Sequence, residues 1–256
     1  MSQAMLKIEN LKKKYDNSDR IILNNIDLSI NEEDFLCVLG PSGCGKSTLI
    51  RCIAGFEDYK GSITVNGEKV VKPGPDRIMV FQDFNQLFPW KTVLGNITYA
   101  LKVGGMKDKE ERKEKAEKYL NKVNLLQYKN YYPHQLSGGM KQRVAIAKGL
   151  ALGSKIIMMD EPFAALDHFT RQTMQKEFLR ICAEEKMGAL FVTHSVDEAL
   201  LLGDEILIME NGKVGSWFTI GENLAYPRDL LSEEMIGIKR KIIKTLENRS
   251  QTQKNF

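Results

Sequence analysis

The feature that most constrains this chain is a run of apolar residues, Phe35 to Leu39, that passes directly into Gly40-Pro41-Ser42-Gly43-Cys44-Gly45-Lys46-Ser47. A strand that is apolar without alternation is covered on both faces, which marks a central strand of a parallel sheet. The residues after it satisfy G-x-x-x-x-G-K-[ST], and Thr48-Leu49-Ile50-Arg51-Cys52-Ile53-Ala54 behind them suits a helix. Glycines at those positions let the backbone curl until successive N–H groups face one anion, and a helix N-terminus adds its positive dipole end. Lys46 is placed to reach β- and γ-phosphates, and the Ser47 hydroxyl to ligate Mg²⁺. Gly40 to Thr48 therefore reads as a phosphate-binding turn between a strand and a helix.

Strand and helix signals alternate around it. Ile26-Asp27-Leu28-Ser29-Ile30 alternates as a half-buried strand does, Ser62-Ile63-Thr64-Val65 ends at an Asn66-Gly67 turn, and Ile78-Met79-Val80-Phe81 is a further apolar strand. From about Thr92 to Leu152 helical spacing takes over. Asp108 with Glu111 reads as a capping box, and Ala116, Tyr119, Leu120 and Val123 repeat at helical intervals, so one face packs and the Lys/Glu face is solvated. Strands return at Ile156 to Met159, Ala189 to Val192 and Ile206 to Met209, with a helix from Asp167 to Lys186 between the first two. The class is α/β with a helical block inserted.

Ile156-Ile157-Met158-Met159-Asp160-Glu161 sets two acids at the end of a buried strand, the end at which an open α/β sheet takes its ligand. Asp160 is placed to hold Mg²⁺ through water and Glu161 to polarise an attacking water. Taken alone, the same pair also suits a strand that ends before an ordinary turn.

Composition narrows the class further. The chain is 43% hydrophobic and 27% charged, as globular proteins with a sizeable core are. A net charge of +4, interspersed along the sequence, is too small for a dedicated nucleic-acid binder. No apolar run approaches the roughly 20 residues that span a bilayer, and Met1 to Met5 carries no secretory signal core. Any link to a membrane is expected to run through a partner. The four cysteines, Cys37, Cys44, Cys52 and Cys182, make no zinc spacing and suit a reducing cytosol. Cys44 lies among N–H groups that favour anions, so it is expected to be the most reactive thiol.

Leu136-Ser137-Gly138-Gly139-Met140-Lys141-Gln142-Arg143 resembles the signature sequence of ATP-binding cassette (ABC) ATPases. With the two motifs above, the chain is similar to that family from roughly Lys7 to Gly221. The resemblance implies a P-loop NTPase fold, with a RecA-like core, an antiparallel β-subdomain and an inserted α-helical subdomain. It divides the chain into a core of 1–86 and 154–221, a helical subdomain of 87–153 and a C-terminal helical tail of 222–256. It implies ATP and Mg²⁺ as ligands, with Ser137, Gly138 and Gly139 facing the γ-phosphate of ATP on the opposite subunit. Gln82 resembles the Q-loop glutamine that meets Mg²⁺ and the attacking water. Ala165-Leu166-Asp167 resembles the D-loop that contacts the partner, and His194 the switch histidine at the γ-phosphate. Tyr15 stands where the family places an aromatic against adenine, and also reads as an ordinary strand-edge tyrosine. Ala147-Lys148-Gly149 departs from the family's usual Ala-Arg-Ala. Glycine weakens a helix by about 1 kcal/mol relative to alanine, so a looser helix is expected there.

The class within the family follows from the remaining sequence. It shows neither the membrane spans of a fused exporter nor the second cassette or long coiled coil of translation and repair members, and the stretch after Gly221 is too short for the regulatory β-domain of sugar-importer cassettes. Phe88-Pro89-Trp90-Lys91-Thr92-Val93 resembles a Leu-Pro-Trp stretch of the nitrate, sulfonate and taurine importer group, and also reads as a hydrophobic turn. Tyr226-Pro227-Arg228-Asp229 is similar to that group's tail. Beyond it Met235, Ile238, Ile242 and Leu246 form an apolar stripe among Lys239, Arg240, Lys241 and Lys244, expected to dock on its own domain. The resemblance implies an ATPase that forms a homodimer in its ATP-bound state, peripheral on the cytoplasmic face of the cell membrane. Its partners would be integral-membrane permease subunits and, indirectly, an extracytoplasmic substrate-binding protein, with no nucleic acid. The family's permease groove near the Q-loop would draw its apolar contacts from Phe84, Leu87, Phe88 and Trp90. The alternative is a non-transport ABC ATPase acting on nucleic acid or the ribosome.

Overall fold

The structure, a computed structural model, describes residues 4–16, 19–81, 86–164, 166–220 and 226–253, with 248–253 as backbone alone. In chain order its elements are β1 (Leu6–Lys14), β2 (Ile21–Ile30), β3 (Phe35–Leu39), α1 (Lys46–Ala54), β4 (Lys60–Val65), β5 (Glu68–Lys69) and β6 (Arg77–Val80). There follow α2 (Val93–Val103), α3 (Lys109–Lys122), α4 (Gly138–Leu152), β7 (Ile156–Asp160), α5 (His168–Glu185), β8 (Gly188–Val192), α6 (Val196–Leu202), β9 (Glu205–Glu210), β10 (Lys213–Thr219) and α7 (Glu233–Gln253). They gather into two compact units, Met1–Lys72 with Gly188–Phe256, and Pro73–Met187. No helix among the described residues is long and apolar enough to cross a membrane.

In the first unit β3 lies between β8 and β9, parallel to both, with Val38 opposite Val192 on one side and Leu207 on the other. All residues of β3 and β8 are buried, as the continuous apolar run requires. The antiparallel hairpin partner β10 lies on the outer side of β9. A separate antiparallel sheet has the order β2-β1-β4-β5. Along β2 the alternation holds, with Ile26, Leu28 and Ile30 inside and Asp27 and Ser29 outside. α1 buries Leu49, Ile50 and Ile53. α7 packs on α6 through fully buried Met235 and Ile242, and Lys239 pairs with Asp197 at 2.5 Å. The tail docks on its own unit, as its stripe predicts.

Arg228 fastens this docking. It is buried, donates to the carbonyls of Leu200 (3.1 Å) and Gly203, and pairs with Asp204 at 2.7 Å. The carbonyls at the C-terminal end of a helix have no intrahelical partner. Here a guanidinium supplies the donors.

In the second unit β6 and β7 are parallel, with Ile78 opposite Ile157 and Val80 opposite Met159. Asp108 caps α3, accepting from the Glu111 amide at 2.7 Å, and the stripe of that helix turns Ala116 and Leu120 inward, with Val123 buried just beyond and Tyr119 half-buried. Gly149 overturns the expectation of a loose α4. A Cβ there would lie 2.8 Å from Cγ2 and 3.1 Å from Cβ of Ile78. The glycine lets the helix press onto β6, and close packing outweighs its weak helix propensity.

Candidate functional site

The phosphate loop belongs wholly to the first unit. Gly45, the residue before α1, has φ 110°, and a Cβ on it would stand 2.9 Å from the Ile22 carbonyl oxygen. Only glycine combines that rotation with that approach. The Cys44 amide donates to the Pro41 carbonyl at 3.3 Å, and its carbonyl accepts from the Gly212 amide at 3.0 Å. Gly212 in turn accepts from the Asn24 amide at 2.7 Å, so the loop is tied to the β9–β10 turn and to β2. Sequence reading missed Gly212, although Asn211-Gly212 between two strands is itself a hairpin signal.

Lys46 is buried, and its Nζ donates to the carbonyls of Gly40 (2.7 Å) and Pro41 (3.0 Å). The ammonium is folded across the curl of the loop. Pro41, Ser42, Gly43 and Ser47 face solvent, and Thr48 is half-buried behind them. The first N–H groups of a helix lack intrahelical acceptors, so the loop joins those donors to a cation and an exposed hydroxyl. An oxyanion fits that donor set.

The anion-favouring surroundings of Cys44 do not lower its thiol as expected. Its side chain is buried, and burial pushes the thiol above its ordinary value, outweighing the opposing pull of Lys46. Removal from water disfavours the thiolate more than the nearby cation favours it.

His194 leaves the C-terminal end of β8, beside the end of β3 from which the loop starts. Its ring is exposed, while its neighbours are fixed. The buried Thr193 hydroxyl donates to Glu198 Oε2 at 2.6 Å and accepts from the Ser195 amide at 3.0 Å, and Ser195 Oγ caps α6 by accepting from Glu198 N at 3.3 Å. These supports were also missed, although Ser195 to Glu198 has capping-box spacing. Tyr15 lies just after β1 on the wall of an open cleft of about 630 Å³, with Ile21 and Tyr59 also lining it, and Lys13 Nζ is 4.6 Å from its ring centre.

The second unit holds the other motifs. Asp160 ends β7 and Glu161 follows it with φ 46°, both half-buried. Ser137 caps α4, its Oγ accepting from Met140 N at 3.3 Å, with Gly138 and Gly139 in the first turn. A Cβ on Gly139 would make ordinary contact with Thr170 and Met174 of α5. Asp167 caps α5, and hydrogen bonds from the Thr170 hydroxyl and amide hold its carboxyl below the usual range. Arg171 donates to the Leu166 carbonyl at 2.9 Å, and Gln142 of α4 donates to the carbonyl of Pro162. The segments bearing Ser137, Glu161 and Asp167 are thus pinned together. Gln82, Phe84 and Ala165 lie outside the described residues.

Comparison with known proteins identifies the family. Residues 23–164 match the family described as ABC transporter. The chain is 40% identical over 238 residues to the bicarbonate transport ATP-binding protein CmpD of Synechocystis sp., covering 90% of this chain and 84% of that one. It is 42% identical over 228 residues to the aliphatic sulfonates import ATP-binding protein SsuB of Bacillus cereus, covering 88% of each. Among solved structures it is similar to an ATP-binding cassette determined as a dimer in a post-hydrolysis state bound to ADP and Pi. That similarity has a TM-score of 0.73 at 31% identity, over 85% of this chain and 99% of that one.

Proposed function

The chain belongs to the ABC transporter family, and from that premise we propose that it is the ATP-hydrolysing subunit of an importer. It energises uptake of a small anionic or polar solute, of the nitrate, sulfonate or taurine kind, through a separate membrane permease. The observation that carries this reading is the phosphate loop at the end of β3 with His194 just beyond the end of neighbouring β8. Likeness to subunits named for bicarbonate and sulfonate import favours transport over action on nucleic acid or the ribosome.

Each residue has a part in this reading. The loop from Gly40 to Thr48 takes the phosphates, with Lys46 neutralising their charge, and Tyr15 lies against the adenine. Ser47, Asp160 and Gln82 offer a hydroxyl, a carboxylate and a carboxamide, the all-oxygen set that suits Mg²⁺. The metal ion, when bound, screens the negative charge of the phosphates. Glu161 polarises the attacking water and His194 contacts the γ-phosphate. Ser137, Gly138, Gly139 and Asp167 serve the nucleotide of a second copy, so the active form is a homodimer. The work is divided among a core of 1–86 and 154–221, a helical subdomain of 87–153 and a tail of 222–256. The permease holds the protein at the inner face of the membrane, and a substrate-binding protein delivers the solute from outside.

The test is Glu161→Gln. It should keep MgATP binding and slow hydrolysis by at least ~10²-fold, the low end for a general base. Sizing at saturating MgATP should show a dimer of this variant that Ser137→Arg abolishes. Turnover at the wild-type rate would remove Glu161 from the chemistry, and a dimer indifferent to Ser137→Arg would remove the shared site.

A further inference from the structure

We infer that Gln142 is a positioning residue for hydrolysis: its side-chain amide holds the Pro162 carbonyl and thereby sets the peptide that carries Glu161. The inference rests on the reading of Glu161 as the residue that polarises water.

Glu161 sits in the left-handed region at φ 46°. For a residue with a Cβ this conformation is strained and persists only where the surroundings enforce it. The next residue is proline, which has no N–H to offer, so this turn is held through its carbonyls and its packing. Hydrogen bonds to two of those carbonyls contribute to the holding. The Ala164 amide donates to the Glu161 carbonyl at 3.2 Å, and Gln142 Nε2 donates to the Pro162 carbonyl. Pro162 and Phe163 are buried beneath them.

Gln142 is itself 2% exposed, and its Oε1 has no hydrogen-bond partner among the described residues. A carbonyl only accepts, so the nitrogen end of the amide must face Pro162. Leaving the oxygen end buried and unanswered is destabilising. A methionine would fill the same space without that cost. The glutamine is explained by the one bond that an apolar residue cannot make. It stands on α4, the helix that Ser137 caps, so the helix bearing the signature residues also steadies the turn after β7.

The test uses the full chain. Gln142→Met removes the donor while keeping length and volume. Gln142→Glu keeps the shape but turns an acceptor toward the carbonyl, and it carries the test if the methionine variant does not fold. Either change should lower kcat for MgATP by ~10- to 100-fold, the scale of a misplaced catalytic group. Affinity for a fluorescent ATP analogue should stay within about twofold of wild type, because the residue acts on the base and not on the phosphates. In a Glu161→Gln background the same substitutions should slow the residual hydrolysis no further, since the group they position is already gone. A folded Gln142 variant with kcat within about twofold of wild type would overturn the inference. So would an equal further loss in the Glu161→Gln background, which marks general damage to the fold. Wild-type turnover in Glu161→Gln overturns the assignment of the base. A slow Glu161→Gln beside a fast Gln142→Met overturns the role of Gln142 alone.

Discussion

The side chain of Asn96 holds Phe88 from both sides, its Oδ1 accepting from the Phe88 amide at 2.7 Å and its Nδ2 donating to the Phe88 carbonyl at 3.3 Å. The same nitrogen reaches the carbonyls of Lys91 (3.2 Å) and Thr92 (3.0 Å), so one buried carboxamide folds the entry to α2 into a tight bend. The bend turns Trp90 outward, 69% exposed and 5.4 Å from the Phe88 ring, with Tyr99 edge-on to Phe88 at 5.2 Å. Leu87, one residue earlier, is buried and belongs to the core.

Exposed aromatic clusters mark contact surfaces, and in the proposed importer this one meets the permease. Trp90→Glu should therefore lower substrate uptake by reconstituted transporter at least ~10-fold, as loss of a central aromatic anchor does. The ATPase rate of the isolated protein should change less than about twofold, because surface changes away from the chemistry are close to neutral. Parallel loss of both activities would instead assign the ring to the core.

Gly149 makes a prediction whose sign is opposite to helix propensity. Alanine gains about 1 kcal/mol in a helix interior, but here its methyl group must displace Ile78, at a cost of about 1–3 kcal/mol. Thermal unfolding of Gly149→Ala should show a lower midpoint than wild type. In an Ile78→Ala background the same change should become neutral or stabilising, because the space is then free. A raised midpoint in the wild-type background would mean that the helix is limited by propensity after all.

Thiol chemistry provides a third check. All four cysteines are buried, and burial lifts the Cys52 thiol to about 12. A raised thiol pKa leaves the neutral form dominant until pH approaches the raised value, so at pH 8 its thiolate fraction is on the order of 10⁻⁴. Colorimetric labelling of Cys52 in the native protein should be at least ~10²-fold slower than in guanidinium, and that of Cys44 should be slower too. Rapid labelling lost in Cys44→Ser would restore the reactive-thiol expectation.

What the sequence made legible and what it hid differ in range along the chain. Phe35 to Leu39 announced a buried strand because the signal is the run itself, Lys46 stood out from the loop motif around it and Asp160 from the strand that it ends, and His194 from the family resemblance. The capping role of Asp108 spans one helical turn and was equally readable. The bonds from Gln142 to Pro162 and from Arg228 to Leu200 join residues 20 and 28 positions apart, and no local pattern announces them. Gly149 and Cys44 were misjudged for one reason. Their local chemistry was weighed correctly, but Ile78 and the depth of burial, which only the fold supplies, decided the outcome.

The clamp at Arg228 fixes an order of events. A chain leaves the ribosome from its N-terminal end, so α6 emerges before the guanidinium that answers the Leu200 and Gly203 carbonyls, which lies 25 residues downstream of Gly203. Until then its last turn must be hydrated, and the α6 face that Met235 and Ile242 later cover is open. His194, just ahead of α6, is therefore part of an unfinished segment during synthesis. α6 is completed only when the tail closes over it, which makes the interval between α6 and α7 a stretch of translation in which this unit needs protection from aggregation.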